Sequence, residues 1–108
     1  MADLHDKKCV PCEGGILPLG ENEIASYLSQ LKLEWQVVSN KRIKKEFKFK
    51  NFKGGIVFVN KIAALAENEG HHPDICIFYN RVRIELWTHA INGLSENDFM
   101  MAAKIEDL

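Results

Sequence analysis

The sequence predicts an α+β domain: a four-stranded antiparallel sheet with three helices on one face, in the order α-β-β-α-β-β-α. Three patterns support this prediction. Apolar residues recur at helical spacing in three segments, they alternate with polar residues at a period of two in other segments, and short turn signals divide those alternating segments into two hairpins. Antiparallel hairpins with helices collected on one face are the arrangement of α+β domains.

The first helix follows a stretch without periodicity. Because glycine and proline punctuate residues 1–20, we expect an irregular arm over 1–20 and a folded domain over 21–108. Helical spacing starts with Ile24, Leu28 and Leu31, which would share one stripe of the first helix. At 108 residues, the chain has a common size for a single domain.

The first hairpin is predicted next. Trp35 and Val37 indicate its first strand, and Ser39-Asn40 is a turn signal. After the turn we expect a half-buried strand with a charged outer face, because apolar and charged residues alternate there. The alternating residues are Arg42, Ile43, Lys44, Glu46, Phe47, Lys48 and Phe49.

The second helix is predicted over about Phe52 to Glu69, where the apolar period becomes that of a helix. Phe58, Ile62 and Leu65 lie on its apolar stripe. Gly70 is well placed to end this helix in the left-handed conformation, and a proline follows three residues later.

The second hairpin gives a geometric prediction about the histidines. If Asn80-Arg81 forms a two-residue turn, counting back along both strands places His72 opposite His89, with Cβ atoms about 4.5–5.5 Å apart. His71 is one residue from this pair, and a bend before the strand would bring it to the same pocket. The count therefore predicts three imidazoles at one end of the sheet.

The last helix is predicted to start with Ser95 as its N-cap. Asp98 then stands where a capping box has its acid, and Leu94 and Phe99 would form the hydrophobic staple. On pattern alone, Asp98 is more simply a cap than a catalytic group, and Glu67 is more simply a solvated helix residue.

Composition limits the class of function. A net charge of -1 gives no overall field that favours nucleic acid or membranes. No apolar run approaches the roughly 18 residues of a membrane span, and the polar N-terminus does not resemble an export signal. Three cysteines, an odd number, disfavour a disulfide framework. We therefore expect a cytoplasmic protein.

The cluster predicted from His71, His72 and His89 suits acid/base chemistry. Imidazole titrates near pH 6.5, so several histidines around a small molecule could protonate a leaving hydroxyl and remove a proton elsewhere. The same cluster could instead hold a metal ion. Cys9 and Cys12 form a single Cys-x-x-Cys pair, which could be half a zinc site or a redox pair.

Several short motifs resemble those of the pterin-4a-carbinolamine dehydratase family. Each motif alone is weak, but their combination at matching spacing is specific and covers about residues 21–108. In chain order they are Glu67-x-x-x-His71-His72-Pro73, Tyr79-Asn80-x-Val82, Thr88-His89 and Gly93-Leu94-Ser95-x-x-Asp98. The cysteine pair of the arm resembles a prefix found especially in bacterial-type members.

This resemblance implies a hydro-lyase that dehydrates 4a-hydroxytetrahydrobiopterin to quinonoid dihydrobiopterin and so recycles the pterin cofactor of aromatic amino-acid hydroxylases. It implies acid/base catalysis by His71 and His89, with His72 assisting or orienting the substrate. Other residues that it assigns to the substrate site are Gly70, Trp87, Thr88, Asp98 and Glu67. It also implies no metal and no cofactor, since the pterin is the substrate, and a homodimer or homotetramer.

Two other functions stay open. Animal relatives double as dimerisation partners of a transcription factor. A coactivator role of that kind, without essential catalysis, would need an exposed apolar helix face, which Phe58, Ile62 and Leu65 would supply if they lie outside the core. The basic strand that starts near Lys41 could contact phosphates, but Glu46 interrupts it, and we expect no nucleic-acid partner.

Overall fold

The computed structural model describes Leu4 and residues 17–108 and has the predicted architecture. Its helices and strands are α1 (Glu21–Leu28), β1 (Gln36–Val38), β2 (Arg42–Lys48), α2 (Phe52–Glu69), β3 (Asp74–Phe78), β4 (Arg81–Leu86) and α3 (Glu96–Glu106). The strands form one antiparallel sheet in the order β1-β2-β4-β3. The predicted fold class and element order are therefore confirmed. Most of the arm predicted over residues 1–20 lies outside the described residues and stays a prediction.

The inner face of the sheet is apolar because alternate residues of its two central strands are apolar. Ile43 of β2 and Ile84 and Leu86 of β4 are all 0% exposed. Burying each such side chain contributes about 1.5–3 kcal/mol. From α2, Phe58 and Ile62 pack into the same core. Leu65 is partly buried and packs against this core, so the predicted apolar stripe of α2 faces mainly inward.

Helix α2 begins and ends where its sequence predicts. The side chain of Asn51 accepts a hydrogen bond from the Gly54 N–H at 2.8 Å and caps the first turn. At the other end Gly70 has φ 68°, and its N–H donates to the Ala66 carbonyl at 2.8 Å. Residues with a Cβ rarely adopt this left-handed conformation, so glycine fits the position.

Helix α3 is buried on almost every side. Its residues Asn97, Asp98, Phe99, Met100, Met101, Ala102, Ala103 and Ile105 are all buried. The helix contacts both α1 and β4, and Leu4 is buried in the same core. A helix that is buried all round lies inside the domain and does not ride on its surface. Asn97 and Asp98 in the polar first turn of α3 are therefore buried together with the apolar residues of the helix.

The predicted register of the second hairpin is wrong by two positions. Its two-residue turn is Tyr79-Asn80, so Phe78 pairs with Arg81 and His72 is not opposite His89. The turn is displaced because Asn80 is tied to the end of β2. Its side-chain amide donates to the Phe49 carbonyl at 3.2 Å, and the Phe49 N–H donates to the Asn80 carbonyl at 2.7 Å.

The wrong register still gives the correct faces. Moving the turn by one residue changes every cross-strand partner by two positions, and side chains alternate between faces with a period of two. Ile75 pairs with Ile84, and both belong to the core or pack against it. Extending the observed Asp74–Glu85 pairing by three residues would bring His71 level with Thr88.

A short loop after β4 closes on itself. Thr88 and Gly93 form an antiparallel bridge, in which the Thr88 N–H donates to the Gly93 carbonyl at 2.8 Å. A single 3-10 turn, His89–Ile91, lies between them. Pro18 packs against the loop so closely that a Cβ on Gly93 would lie 2.7 Å from the Pro18 Cβ. The space at Gly93, not its backbone angle, therefore requires glycine.

We predict that Gly93→Ala lowers the free energy of unfolding by about 1–3 kcal/mol, since the added methyl group overpacks a tight contact. Chemical denaturation measures the change. In a Pro18→Gly background the same substitution should cost clearly less, because the opposing Cβ is gone. Equal costs in both backgrounds would show that the Pro18 contact is not the cause.

Candidate active site

The first part of the site is the corner between α2 and β3. Gly70 turns the chain, and His71 and His72 then lead through Pro73 into β3. The His71 N–H also donates to the Ala66 carbonyl, at 3.3 Å, which holds the corner against the last turn of the helix. Backbone hydrogen bonds thus hold Gly70 and His71 at this corner.

The three predicted histidines line one open cavity of about 240 Å³. This volume is close to the lower limit of about 300 Å³ for typical ligand pockets. The lining residues are Gly70, His71, His72, Trp87, Thr88, His89 and Ala90. The corner after α2 and the loop after β4 therefore meet at the same end of the sheet, as the sequence predicts.

His71 is paired with a carboxylate that is fully buried. Its Nε2 lies 2.6 Å from Asp98 Oδ1, and the two side chains are 13% and 0% exposed. The other carboxylate oxygen, Oδ2, accepts hydrogen bonds from Thr88 Oγ1 at 2.8 Å and from the Ser95 N–H at 3.0 Å. A buried carboxylate needs such donors because it has lost its water. Asp98 is thus held from three sides.

His72 has a carboxylate partner at the same distance but in a different environment. Its Nε2 lies 2.6 Å from Glu67 Oε2, and the two side chains are 61% and 78% exposed. Exposed ion pairs contribute little, because water and salt screen them. Burial, not distance, therefore distinguishes the firmly held His71 from the loosely held His72.

His89 lies against an aromatic ring. Its ring centroid is 4.0 Å from that of Trp87, with 32° between the planes. The Trp87 Nε1–H donates to Asp74 Oδ2 at 3.1 Å, and the guanidinium of Arg42 lies 5.9 Å from the indole centroid. The first residues of β2 and β3 thus fix the indole, which gives the cavity a flat wall beside an imidazole.

The eight predicted site residues fall into two groups. Six of them line the cavity: Gly70, His71, His72, Trp87, Thr88 and His89. Asp98 and Glu67 do not line it, but each is hydrogen bonded to a histidine that does.

Sequence reasoning missed two supporting residues. Ser95 was recognised as a cap, but no pattern shows that its hydroxyl lies 2.7 Å from Thr88 Oγ1. Asp74, which holds the Trp87 indole, has no motif of its own, and only the pairing of β3 with β4 brings the two together.

The hypothesis that the histidine cluster holds a metal ion finds no support in the described part of the chain. Within Leu4 and residues 17–108, no group of three His, Cys, Asp or Glu side chains is arranged to hold a metal ion. Nor does any helix there have the length and apolar character to cross a membrane. Cys9 and Cys12 lie outside the described residues, so the metal and redox hypotheses for that pair stay untested.

We predict that Asp98→Asn lowers the free energy of unfolding by about 2–4 kcal/mol, because an amide offers one acceptor oxygen where two oxygens now receive three donors. Chemical denaturation at neutral pH measures the change. Glu67→Gln is the matched control, since the same chemical change at an exposed pair should leave stability essentially unchanged. Equal losses in the two variants would contradict the role given to burial.

Comparisons with known proteins find similar sequences over most of this chain. A family model described as Pterin 4 alpha carbinolamine dehydratase matches residues 17–108. Relatives in Alkaliphilus metalliredigens and Rickettsia canadensis carry pterin-4-alpha-carbinolamine dehydratase as a provisional name. The first is 50% identical over 106 residues, covering 98% of this chain and 96% of the relative. The second is 52% identical over 106 residues, covering 98% and 97%.

Solved structures are similar in fold. A crystal structure of a transcriptional coactivator/pterin dehydratase from Brucella melitensis superimposes with a TM-score of 0.77 at 38% identity, covering 83% of this chain and 96% of that one. A pterin dehydratase-like protein described as a RuBisCO assembly factor of the alpha-carboxysome shares the fold, with a TM-score of 0.60 at 24% identity over 70% of this chain and 89% of that one. Sequence motifs, fold and family match lead to one conclusion: the chain belongs to the pterin-4a-carbinolamine dehydratase family.

Proposed function

We propose that this protein dehydrates 4a-hydroxytetrahydrobiopterin to quinonoid dihydrobiopterin, and so returns the pterin cofactor of aromatic amino-acid hydroxylases to use. One observation carries the proposal. In a chain of this family, His71, His72 and His89 line a single cavity together with the flat indole of Trp87. The cavity offers several proton-exchanging groups around a space that suits a small planar molecule.

The reaction requires two proton transfers and no oxidation or reduction. A base removes the proton from the ring nitrogen next to the carbon that bears the hydroxyl, and that electron pair forms the new carbon–nitrogen double bond. The carbon–oxygen bond breaks, and an acid protonates the departing hydroxyl to give water. General acid and base groups contribute about 10²–10⁴-fold to such steps. The proposal therefore includes no metal and no cofactor, and activity should survive a chelator.

We assign the proton transfers to His71 and His89. Asp98 lies 2.6 Å from His71 and stabilises a positive charge on that ring when a proton arrives. His89 is exposed, so it can exchange protons with water between turnovers. His72 and Glu67 are both exposed, and we give His72 an assisting or orienting role.

Pterin binding is assigned to the flat wall and to the backbone around it. The Trp87 indole is hydrogen bonded to Asp74 and packs against the His89 imidazole, so we assign it to one wall of the pterin site. Gly70 has no side chain, which leaves room beside His71 for the substrate.

We also propose that the protein is a homodimer or homotetramer. Strand β3 is an edge strand, and Ile77, Phe78 and Tyr79 at its end are 41%, 40% and 68% exposed. Exposed apolar residues beside an unpaired strand edge favour association. Light scattering gives the mass directly, and a monomer at micromolar concentration would contradict this part.

Neither alternative function is proposed. Phe58 and Ile62, which a coactivator role would need on the surface, are 8% and 0% exposed. On the charged face of the sheet, Glu46 is paired with Arg81 and Glu85 with Arg42, so part of the basic charge is already balanced. On these observations we propose catalysis and neither alternative.

We predict that the protein accelerates formation of quinonoid dihydropterin from freshly generated 4a-hydroxytetrahydropterin, followed by absorbance. The double variant His71→Ala/His89→Ala should lose at least about 10²-fold in kcat/KM, since it removes both assigned proton-transfer groups. Each single variant should retain part of the activity.

Lys61→Ala provides the control, because Lys61 is exposed on α2 and does not line the cavity. Circular dichroism establishes that each variant is folded before it is assayed. A folded wild type that gives no rate above buffer, or a double variant as active as Lys61→Ala, would refute the proposed function.

A further inference from the structure

Every polar group of Thr88 already has a partner within the protein. Its N–H donates to the Gly93 carbonyl at 2.8 Å, and its own carbonyl accepts from the N–H groups of Ile91 and Gly93 at 3.3 and 3.4 Å. Its hydroxyl lies 2.8 Å from Asp98 Oδ2 and 2.7 Å from Ser95 Oγ. The residue lines the cavity but is only 3% exposed. It therefore has no unused donor to offer a ligand.

The direction of these hydrogen bonds follows from counting hydrogens. Thr88 has one hydroxyl hydrogen, and an ionised carboxylate can only accept. That hydrogen therefore goes to Asp98, so the Ser95 hydroxyl must donate to Thr88 Oγ1. With the Ser95 N–H also donating to Asp98, Oδ2 is fully engaged and Oδ1 remains for His71.

The same counting assigns the proton on His71. Because Asp98 accepts, the His71 nitrogen that faces it, Nε2, must carry a hydrogen, and in the neutral ring Nδ1 then has the lone pair. Nδ1 has no hydrogen-bond partner among the described residues. Among the buried side-chain nitrogens and oxygens of those residues, Arg83 Nε alone lacks a hydrogen-bond partner, so His71 Nδ1 is reached by solvent. His71 lines the cavity, and Nδ1 is its ring nitrogen that no described protein group occupies.

We propose that Thr88 is a positioning residue that acts through Asp98 on His71, so that His71 exchanges its proton with the substrate at Nδ1. Thr88 aligns the carboxylate, the carboxylate holds Nε2–H, and the ring is thereby fixed with Nδ1 toward the cavity. Its hydroxyl does not bind the pterin. The catalytic half of this proposal rests on the proposed dehydratase function, whereas the hydrogen-bond half does not.

Nitrogen-15 NMR of the full chain tests the hydrogen-bond half without any assay. In the wild type, His71 should be protonated at Nε2, with a proton that exchanges slowly with water. In Thr88→Val, which keeps the shape and removes the hydroxyl, we expect exchange at least about tenfold faster, as for the loss of one hydrogen bond to a charged group. Thr88→Ser should restore slow exchange. A neutral His71 ring in the wild type with its proton on Nδ1 and none on Nε2, or unchanged exchange in Thr88→Val, would overturn the proposal.

Kinetics test the catalytic half. Thr88→Val should lower kcat about tenfold with KM within about twofold, and Thr88→Ser should recover most of the loss. Ser95→Ala should have a smaller effect, because Thr88 can still donate to Asp98 in its absence. A raised KM with unchanged kcat in Thr88→Val would mean that the hydroxyl binds the pterin and would overturn the assignment.

The two halves can fail separately. If the wild type has no dehydratase activity, the proposed function fails, while the NMR result still decides the hydrogen-bond half. Thermal unfolding of each variant sets an assay temperature at which all are folded, so a loss of stability alone cannot produce the expected fall in kcat.

Discussion

The Asp98 carboxylate is buried away from water, and the candidate site is arranged around the hydrogen bonds that this carboxylate needs. It is fully buried because α3 is buried on almost every side, so the first turn of that helix goes inside with its apolar residues. An unpaired charge there would cost several kcal/mol. Three donors from three segments remove that cost: Thr88 after β4, Ser95 before α3 and His71 after α2. The burial of one helix thus determines the geometry of His71, one of the histidines that line the cavity.

His72 and His89 are more exposed than His71, and among the described residues neither is hydrogen bonded to a buried carboxylate. His89 lies on an indole that β2 and β3 fix, whereas His72 pairs with an exposed glutamate. The proposed proton-transfer pair thus combines His71, which a buried carboxylate holds, with His89, which is exposed. The tight contact between Pro18 and Gly93 supports the loop that carries His89. Packing at Gly93, which is bridged to Thr88 of the cavity lining, therefore supports the candidate site.

Fold class and element order could be predicted from the sequence, because periodicity and capping signals are local. The site residues other than the three histidines came from the family resemblance, and their roles stay predictions. Helix α2 runs from Phe52 to Glu69 as predicted, and Asp98 stands in the predicted capping position. The pairing of His72 with His89 could not be predicted correctly, because a side-chain bond from Asn80 to the distant Phe49 carbonyl sets the turn. For the same reason, no local pattern shows that the hydroxyl of Ser95 meets Thr88 or that Asp74 holds Trp87.

The most direct test of the cavity as a pterin site is a titration with a stable planar analogue, 7,8-dihydrobiopterin, followed by NMR of the imidazole and indole signals. If the cavity binds the pterin ring, saturable shifts will occur at His71, His72, His89 and the Trp87 indole, while the Trp35 indole, which is hydrogen bonded to Glu106 away from the cavity lining, stays unchanged. Saturable binding that shifts Trp35 and leaves the three histidines unmoved would contradict the assignment of the site.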